Sequence, residues 1–417
     1  MPETAGRAKR PKVGREPPAR SAGAGSATSP QKVVALGIGL AATGVGAVLG
    51  LAAERIAVSR RIRPPAPDEI VDDGRGGPVL GSLRGEARVV VSGEVPLHVE
   101  VDEPDEPHRR GDVTVVLSHG YALNLDSWHY QRLFLRGRFR LVLWDQRGHG
   151  RSGTGPEGSS TIDQVGADLA AVIDTVAPTG PLLLLGHSMG GMTVMSLAAQ
   201  RPELFTERVV GVGLFSTSAG GDAGVDLGMA GLGRLGMRVA PTAARVLTHT
   251  PRLVARGRRI GSDLESLLVR RYSFASPVPA QLVSFAARMI AQTRFDVISD
   301  FLPTFGTHDK REALAAMAEN EVLVLVGDSD LLTPPTASEE IVHRLPAAEH
   351  VVVTHAGHLL PLEHPDLVNA HLDELVTRSL VVARAGKRSW RHAFGRRRPV
   401  SRTVTPVREK QRRRHTS

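Results

Sequence analysis

Runs of apolar residues alternate along the chain with stretches of helical periodicity. The runs that we predict to be buried strands are Val113–Leu117, Leu141–Trp144, Leu182–Leu185, Val209–Phe215, Glu321–Val326 and Val351–Val353. Between them, stretches such as Ile162–Val176 place their apolar side chains on one face of a helix. Strands that alternate with helices are typical of a mostly parallel sheet flanked by helices. Two earlier strands, Arg88–Val91 and Leu97–Val101, are predicted to start this sheet as a hairpin.

The alternation of strands and helices stops near residue 220. Residues 220–310 have helical patterning and many arginines, and they carry no strand signal, so we predict a helical insertion in an α/β core. The predicted organisation is a disordered basic leader (1–32), an apolar helix (33–53), a linker (54–79), the first part of the core (80–219), the insertion (220–310), the second part of the core (311–383) and a disordered basic tail (384–417).

The segment Val33–Ala53 contains no charged residue over 21 positions, which is the length that a helix needs to span a bilayer. Five glycines and six alanines make it weakly apolar. We interpret this segment as a single-pass membrane anchor. The alternatives are a cleaved signal peptide and a soluble helix of a cytoplasmic protein. Seven basic residues precede the segment and four follow it within ten positions, which favours a location on the outer face for the body that follows.

Charge is unevenly distributed along the chain. Lys and Arg outnumber Asp and Glu by 11 to 3 in residues 1–63 and by 13 to 1 in residues 384–417, whereas residues 64–383 hold 28 basic and 39 acidic residues. The body is therefore acidic, and we do not expect it to bind nucleic acid. Runs of basic residues are usually solvated. If the basic ends bind a partner, anionic lipid headgroups are the one that we consider first. The chain has no cysteine, which excludes disulfides and cysteine metal sites.

Ser188 lies in the sequence Gly186-His187-Ser188-Met189-Gly190, directly after the apolar run Leu182–Leu185 and before a helical stretch. A buried strand, a tight turn and a helix are the context that a nucleophile elbow requires. Glycines on both sides of the serine fit this geometry, because bulk there would collide with the neighbouring strand or helix. The pattern therefore predicts an exposed serine hydroxyl at the N-terminus of a helix.

Candidate acids and histidines follow Ser188 in the chain, each just after a predicted strand. Asp328 and Asp330 follow Glu321–Val326, and His355 and His358 follow Val351–Val353. Loops at the carboxyl ends of parallel strands meet at one edge of the sheet, where ligands bind. A serine, an acid and a histidine in this order could form a catalytic triad.

These motifs, with Leu117-Ser118-His119-Gly120 and Asp145-Gln146-Arg147-Gly148-His149-Gly150, resemble those of serine hydrolases of the α/β-hydrolase fold over about residues 85–380. The resemblance implies that Asp330 is the acid and His358 the base, and that residues 220–310 cap the active site. It also implies an oxyanion hole formed by the backbone amides of Tyr121 and Met189. Asp328 and His355 are then expected to have structural roles.

The expected function is hydrolysis of a carboxylic ester, with a hydrophobic acyl chain or a lipid as substrate, through a Ser-His-Asp acyl-enzyme mechanism. We expect neither a cofactor nor a metal ion to take part. The alternatives are a perhydrolase or a carbon–carbon bond hydrolase of the same fold, and a non-catalytic binding module that retains the fold.

Overall fold

The computed structural model describes residues 77–107, 112–221, 268–385 and 400–406. All of them belong to one unit of the chain, residues 64–417. The predicted leader, the predicted membrane anchor at 33–53 and nearly all of the linker lie outside the described residues. Within the described ranges, none of the helices is long and apolar enough to cross a membrane.

In the part of the chain that the structure describes, nine strands form one sheet at the centre of the fold. Its strands are β1 (Glu86–Ser92), β2 (Val95–Asp102), β3 (Thr114–Ser118), β4 (Arg140–Trp144), β5 (Leu182–His187), β6 (Val209–Phe215), β7 (Glu321–Gly327), β8 (Glu349–Val353) and β9 (Val400–Val404). Their order in the sheet is β1-β2-β4-β3-β5-β6-β7-β8-β9. β2 is antiparallel to β1 and to β4, and every later pairing is parallel. The predicted hairpin and the predicted mostly parallel sheet are therefore both confirmed.

Helices cover both faces of the sheet. They are α1 (His129–Leu135), α2 (Ile162–Val176), α3 (Met189–Gln200), α4 (Pro202–Glu207), α5 (Ala280–Gln292), α6 (Phe295–Thr307), α7 (Pro335–Arg344), α8 (Leu360–Glu363) and α9 (Pro365–Ala385), with 3₁₀ turns at Leu125–Trp128 and Glu312–Met317 and further helical residues at 268–273. Successive side chains of a strand point to opposite faces. Leu182 and Leu184 of β5 accordingly pack in the core cluster with α2 and α3, whereas Leu183 and Leu185 pack in the cluster with α9.

The segment between β6 and β7 leaves the sheet after Phe215, and the two ends of the insertion meet near residues 220 and 309. Gly220 and Asp309 form an isolated bridge, and the amide of Lys310 donates to the carbonyl of Ala219 at 2.7 Å. The described part of this insertion, residues 268–307, is mainly helical. Its apolar side chains pack against core residues such as Leu123 and Leu359. The insertion helices therefore rest on the two loops that flank the carboxyl edge of the sheet.

The prediction of a disordered tail from residue 384 is wrong for Val400–Val404. These residues form β9, which pairs in parallel with β8. Arg402 of β9 forms ion pairs with Glu349 and, at 2.9 Å, with Glu374. A basic run reads as solvated from sequence alone, because the acidic partners of Arg402 lie 28 or more positions earlier in the chain.

Candidate active site

Ser188 lies on a sharp turn between β5 and α3. Its backbone has φ 52° and ψ −119°, a conformation that non-glycine residues rarely adopt. A Cβ added to Gly186 would lie 2.5 Å from the carbonyl oxygen of Gly190, and one added to Gly190 would overlap the backbone of Ser118. Both glycines are therefore required by close backbone contacts. The turn leaves the hydroxyl of Ser188 at the N-terminus of α3.

The structure brings Ser188, His358 and Asp330 into one hydrogen-bonded row. His358 Nε2 lies 2.9 Å from Ser188 Oγ, and His358 Nδ1 lies 3.0 and 2.9 Å from the two carboxylate oxygens of Asp330. The carboxylate accepts the Nδ1 proton, so Nε2 is left as the acceptor for the serine hydroxyl. The imidazole is thus held in the orientation that a general base for Ser188 needs.

Asp330 is buried and its carboxylate has several donors. Besides His358, it accepts hydrogen bonds from the amides of Leu332 and Thr333 and from the Thr333 hydroxyl, each at 2.9 Å. Burial raises the pKa of Asp330, but the charge of His358 and these hydrogen bonds outweigh it and leave the pKa below its ordinary value. Asp330 is therefore ionised near neutral pH.

The other candidate acid and the other candidate histidine do not join this row. Asp328 is exposed, and its carboxylate accepts a hydrogen bond from the neighbouring Ser329 hydroxyl at 2.8 Å. His355 is also exposed, and it has a positive φ of 55° in the turn after β8. Both residues therefore lie in loops and outside the row.

The resemblance assigns the oxyanion hole to the backbone amides of Met189 and Tyr121. Met189 follows Ser188 at the first position of α3, and Tyr121 lines the same pocket as Ser188 and His358. No described residue accepts a hydrogen bond from either amide. Unpaired N–H groups at a helix N-terminus and at an adjacent turn are the donors that can stabilise an oxyanion.

A buried polar network holds the loop that carries the Tyr121 amide. The amide of Gln146 donates to His119 Nε2 at 2.9 Å, so His119 Nδ1 carries the proton and donates to the Gly120 carbonyl at 2.7 Å. The Gln146 side chain donates to the His119 carbonyl at 2.6 Å and accepts from the Thr193 hydroxyl at 2.7 Å. The sequence analysis includes Gln146 in a motif but does not identify these partners. Nothing in the local spacing pairs residue 146 with residue 193.

The same loop is bonded to the insertion helices. The Tyr121 hydroxyl donates to the carbonyl of Ile298 in α6. The Thr293 hydroxyl donates to the carbonyl of Ala122 at 3.2 Å. Burial raises the pKa of the Tyr121 hydroxyl, so this group stays a neutral donor. The loop of Tyr121 and Ala122 is therefore bonded directly to the insertion.

A pocket of about 730 Å³, partly open to solvent, extends from the hydroxyl of Ser188. Its apolar walls come from the core and from the insertion helices α5 and α6. The described residues that line it are Gly120, Tyr121, Leu123, His187, Ser188, Met192, Ser273, Ile290, Leu302, Phe305, Leu332, Thr333, His358 and Leu359. None of these lining residues is Lys, Arg, Asp or Glu, so the pocket suits a neutral, apolar group.

One cluster in the described part of the chain has the residue types of a metal site. Ligand atoms of Glu349, His371 and Glu374 lie within 4.8 Å of one another. However, Arg378 and Arg402 both bond to Glu349, Arg378 at 2.7 Å. Glu349 begins β8, whereas the loop of His358 follows the other end of that strand. The cluster is better explained as an ion-pair network that joins β8, α9 and β9.

The described site matches a known family. A family model for the alpha/beta hydrolase fold matches residues 113–365. The chain belongs to the alpha/beta hydrolase family. The match includes Ser188, Asp330 and His358 and begins at β3, so the hairpin of β1 and β2 and the strand β9 lie outside it.

Several curated relatives are hydrolases. The chain is 26% identical over 264 residues to the sn-1-specific diacylglycerol lipase ABHD11 of Mus musculus, covering 61% of this chain and 79% of that protein. It is 33% identical over 137 residues to the monoacylglycerol lipase of Mycolicibacterium smegmatis (32% and 48%), and 34% identical over 96 residues to 3-oxoadipate enol-lactonase 2 of Acinetobacter baylyi (23% and 35%). The chain thus spans less than half the length of these last two relatives.

Solved structures show the same fold. An esterase from Thermogutta terrifontis superposes with a TM-score of 0.55 at 23% identity, covering 71% of this chain and 99% of that one. A bromoperoxidase from Bacillus anthracis superposes with a TM-score of 0.56 at 19% identity, covering 70% and 100%. At these identities the likeness establishes the alpha/beta hydrolase fold alone.

His187, inside the elbow, contacts the histidine of the row. Its Nε2 donates to the His358 carbonyl at 2.8 Å, and the two rings lie 5.0 Å apart. Burial, with repulsion from His358, lowers the pKa of His187 to about 3. His187 therefore stays neutral in the folded protein over a pH range in which an unfolded chain protonates it.

This difference predicts an acid-sensitive stability. Below the unfolded pKa of about 6.5 the unfolded state binds a proton that His187 in the fold does not, so the free energy of unfolding falls with falling pH. We expect His187→Gln, which retains a side-chain N–H, to reduce that slope by about 1.4 kcal/mol per pH unit between pH 6 and 4. Urea unfolding at several pH values measures it. His355→Gln is the control, because that side chain is in water in both states, and an equal slope in the His187 variant and the parent would contradict the prediction.

Proposed function

We propose that this alpha/beta hydrolase is a serine esterase that cleaves carboxylic esters with a hydrophobic acyl group. The observation that carries the proposal is the 2.9 Å contact between Ser188 Oγ and His358 Nε2, in a row completed by the buried carboxylate of Asp330. A serine hydroxyl is a weak nucleophile at neutral pH, and a histidine at this distance supplies the missing base.

The proposed reaction has two acyl transfers. Ser188 Oγ attacks the ester carbonyl while His358 Nε2 takes the hydroxyl proton, and the amides of Tyr121 and Met189 stabilise the oxyanion. His358 then gives the proton to the departing alcohol, which leaves an acyl group on Ser188. A water molecule, deprotonated by His358, attacks this acyl group and releases the acid. Asp330 keeps the imidazole oriented and stabilises its charged form throughout.

The walls of the pocket support a neutral, apolar acyl group as substrate. Leu302 and Phe305 of α6 and Ile290 of α5 face the same space as Ser188. Among the described lining residues no cation is available to pair with a second carboxylate on the substrate. The names of the two lipase relatives agree with an ester of this kind.

We expect Ser188→Ala to lower ester hydrolysis by at least about 10⁴-fold, because the elbow then holds no nucleophile. Initial rates on p-nitrophenyl esters of increasing chain length measure this loss and define the preferred acyl group. A fluorophosphonate probe that labels the parent and not the variant is the matched control for the identity of the nucleophile. Turnover near the parental rate in Ser188→Ala would refute the proposal.

Substitutions of the two acids in the loop after β7 should have very different effects on kcat. Asp330→Asn removes the partner of His358 Nδ1, and we expect a loss of about 10³- to 10⁴-fold in kcat. Asp328→Asn changes an exposed carboxylate of the same loop, and we expect an effect below about threefold. The two variants are compared by kcat on the best ester. A larger loss in Asp328→Asn would overturn the assignment of the acid.

We further propose that residues 33–53 hold the chain in a membrane, with the catalytic body on the outer face and the basic ends near anionic headgroups. The proposal rests on the 21 uncharged residues and on the basic residues that flank them. The expected result is that carbonate washing leaves the protein in the membrane pellet, and that added protease digests the C-terminal end in intact cells. Release of the full-length chain by carbonate would contradict the anchor, and protection of the C-terminal end would contradict the orientation.

A further inference from the structure

The backbone on both sides of His358 is held by hydrogen bonds that the proposed mechanism does not use. On the N-terminal side, the amide of Gly357 donates to Glu363 Oε2 at 2.6 Å. On the C-terminal side, the amide of Leu359 donates to the carbonyl of Ser273, a residue of the insertion, at 2.8 Å. The amides of the two residues that flank His358 are therefore bonded to one buried carboxylate and to one segment of the insertion.

The other oxygen of the same carboxylate binds the insertion. Glu363 Oε1 accepts hydrogen bonds from the amide of Ala275 at 2.8 Å, from the amide of Ser276 at 2.5 Å and from the Ser276 hydroxyl at 2.7 Å. The Glu363 side chain has no exposed surface. Its nearest cationic candidate among the described residues is His364, whose Nε2 lies 4.0 Å away. N–H and O–H donors rather than an Arg or Lys thus stabilise this carboxylate.

We propose that Glu363 is a positioning residue, which couples the seating of insertion residues 273–276 to the placement of His358 against Ser188. This inference rests on the proposed esterase function. Glu363 touches neither Ser188 nor the imidazole, so its effect passes through the backbone of Gly357.

Close packing makes this coupling stiff. A Cβ on Gly357 would lie 2.8 Å from the carbonyl oxygen of Ser273 and 2.9 Å from Phe274 Cα, so the two backbones are in direct contact. Ser273 and Leu359 also line the pocket beside His358. An acyl group that displaces this part of the insertion would therefore also displace the backbone of His358. Displacements of about 1 Å in a catalytic group can lower a rate by about 100-fold.

The variant Glu363→Gln distinguishes the hydrogen bond to Gly357 from the hydrogen bonds to Ala275 and Ser276. An amide has one oxygen, and three donors around Oε1 outnumber the one donor at Oε2, so the oxygen will face Ala275 and Ser276. The amide NH₂ then faces the Gly357 N–H, and two donors oppose each other. The insertion stays bonded while the tether of Gly357 is lost. We expect kcat to fall about 10- to 100-fold with KM within about threefold of the parent.

Two control variants test whether the effect is specific. Glu349→Gln changes another buried carboxylate, at the start of β8 and bonded to Arg378, and should alter stability without changing kcat. Ser276→Ala removes one donor from the insertion side only and should leave kcat within about twofold of the parent. All rates are measured on the full-length chain well below its unfolding temperature, with the folded fraction checked by circular dichroism.

A second readout does not depend on turnover. We expect the His358 Nδ1 proton, bonded to Asp330, to give a far-downfield signal in a one-dimensional proton NMR spectrum, which His358→Ala assigns by its disappearance. We expect Glu363→Gln to shift or broaden this signal and Glu349→Gln to leave it in place. If the parent hydrolyses no ester, the proposed function fails, and the NMR signal still decides the role of Glu363. An unchanged signal in Glu363→Gln, or an equal loss of kcat in Glu349→Gln, would overturn the inference.

Discussion

The strained turn at Ser188 is the constraint on which the rest of the site depends. A positive φ at a residue with a side chain costs about 1–3 kcal/mol and persists only where its surroundings enforce it. Here the amide of Ser188 donates to the carbonyl of Phe215 in β6 at 2.9 Å, and the Ser188 carbonyl accepts from the amide of Gly191 and from the Thr217 hydroxyl. Hydrogen bonds from the end of β6 and from α3 thus hold both the amide and the carbonyl of Ser188. Because β5 is the central strand of the sheet and all of its residues are buried, the turn is anchored in the core.

Three buried histidines near that turn remain uncharged at neutral pH and hold neighbouring backbone groups by hydrogen bonds. Burial lowers the pKa of His119 to about 4 and those of His149 and His187 to about 3. Near neutral pH these rings therefore add no positive charge beside His358, and each acts as an oriented donor or acceptor. Their protonation would oppose the positive charge that the proposed reaction places on His358. The same neutrality makes the folded state sensitive to acid, so the electrostatic arrangement and the pH dependence of stability have one origin.

Local sequence patterns were sufficient for most of the strands and for the turn at Ser188. Apolar runs predict the strands from β3 to β8, and the glycines around Ser188 predict the turn, because both signals come from residues adjacent in the chain. Spacing alone does not choose between Asp328 and Asp330, or between His355 and His358. In the folded chain Asp330 and His358 are buried in the row, whereas Asp328 and His355 are exposed. Glu363 could not be predicted as a tether, since its partners Ala275 and Ser276 are 87 or more positions away. The same holds for Gln146 with Thr193.

Strand β9 changes the interpretation of the basic C-terminal segment. The described residues 400–406 lie beyond the part of the chain that the family model matches, yet they extend the sheet along β8, the strand that leads to His358. The amide of Thr354, just after β8, donates to the Val404 carbonyl at 2.9 Å. Arg402 meanwhile supplies positive charge to the buried Glu349, whose pKa is lowered to about 2 although burial opposes this. An acidic body and a basic segment are therefore complementary within one chain, and part of that segment forms the strand at the edge of the sheet.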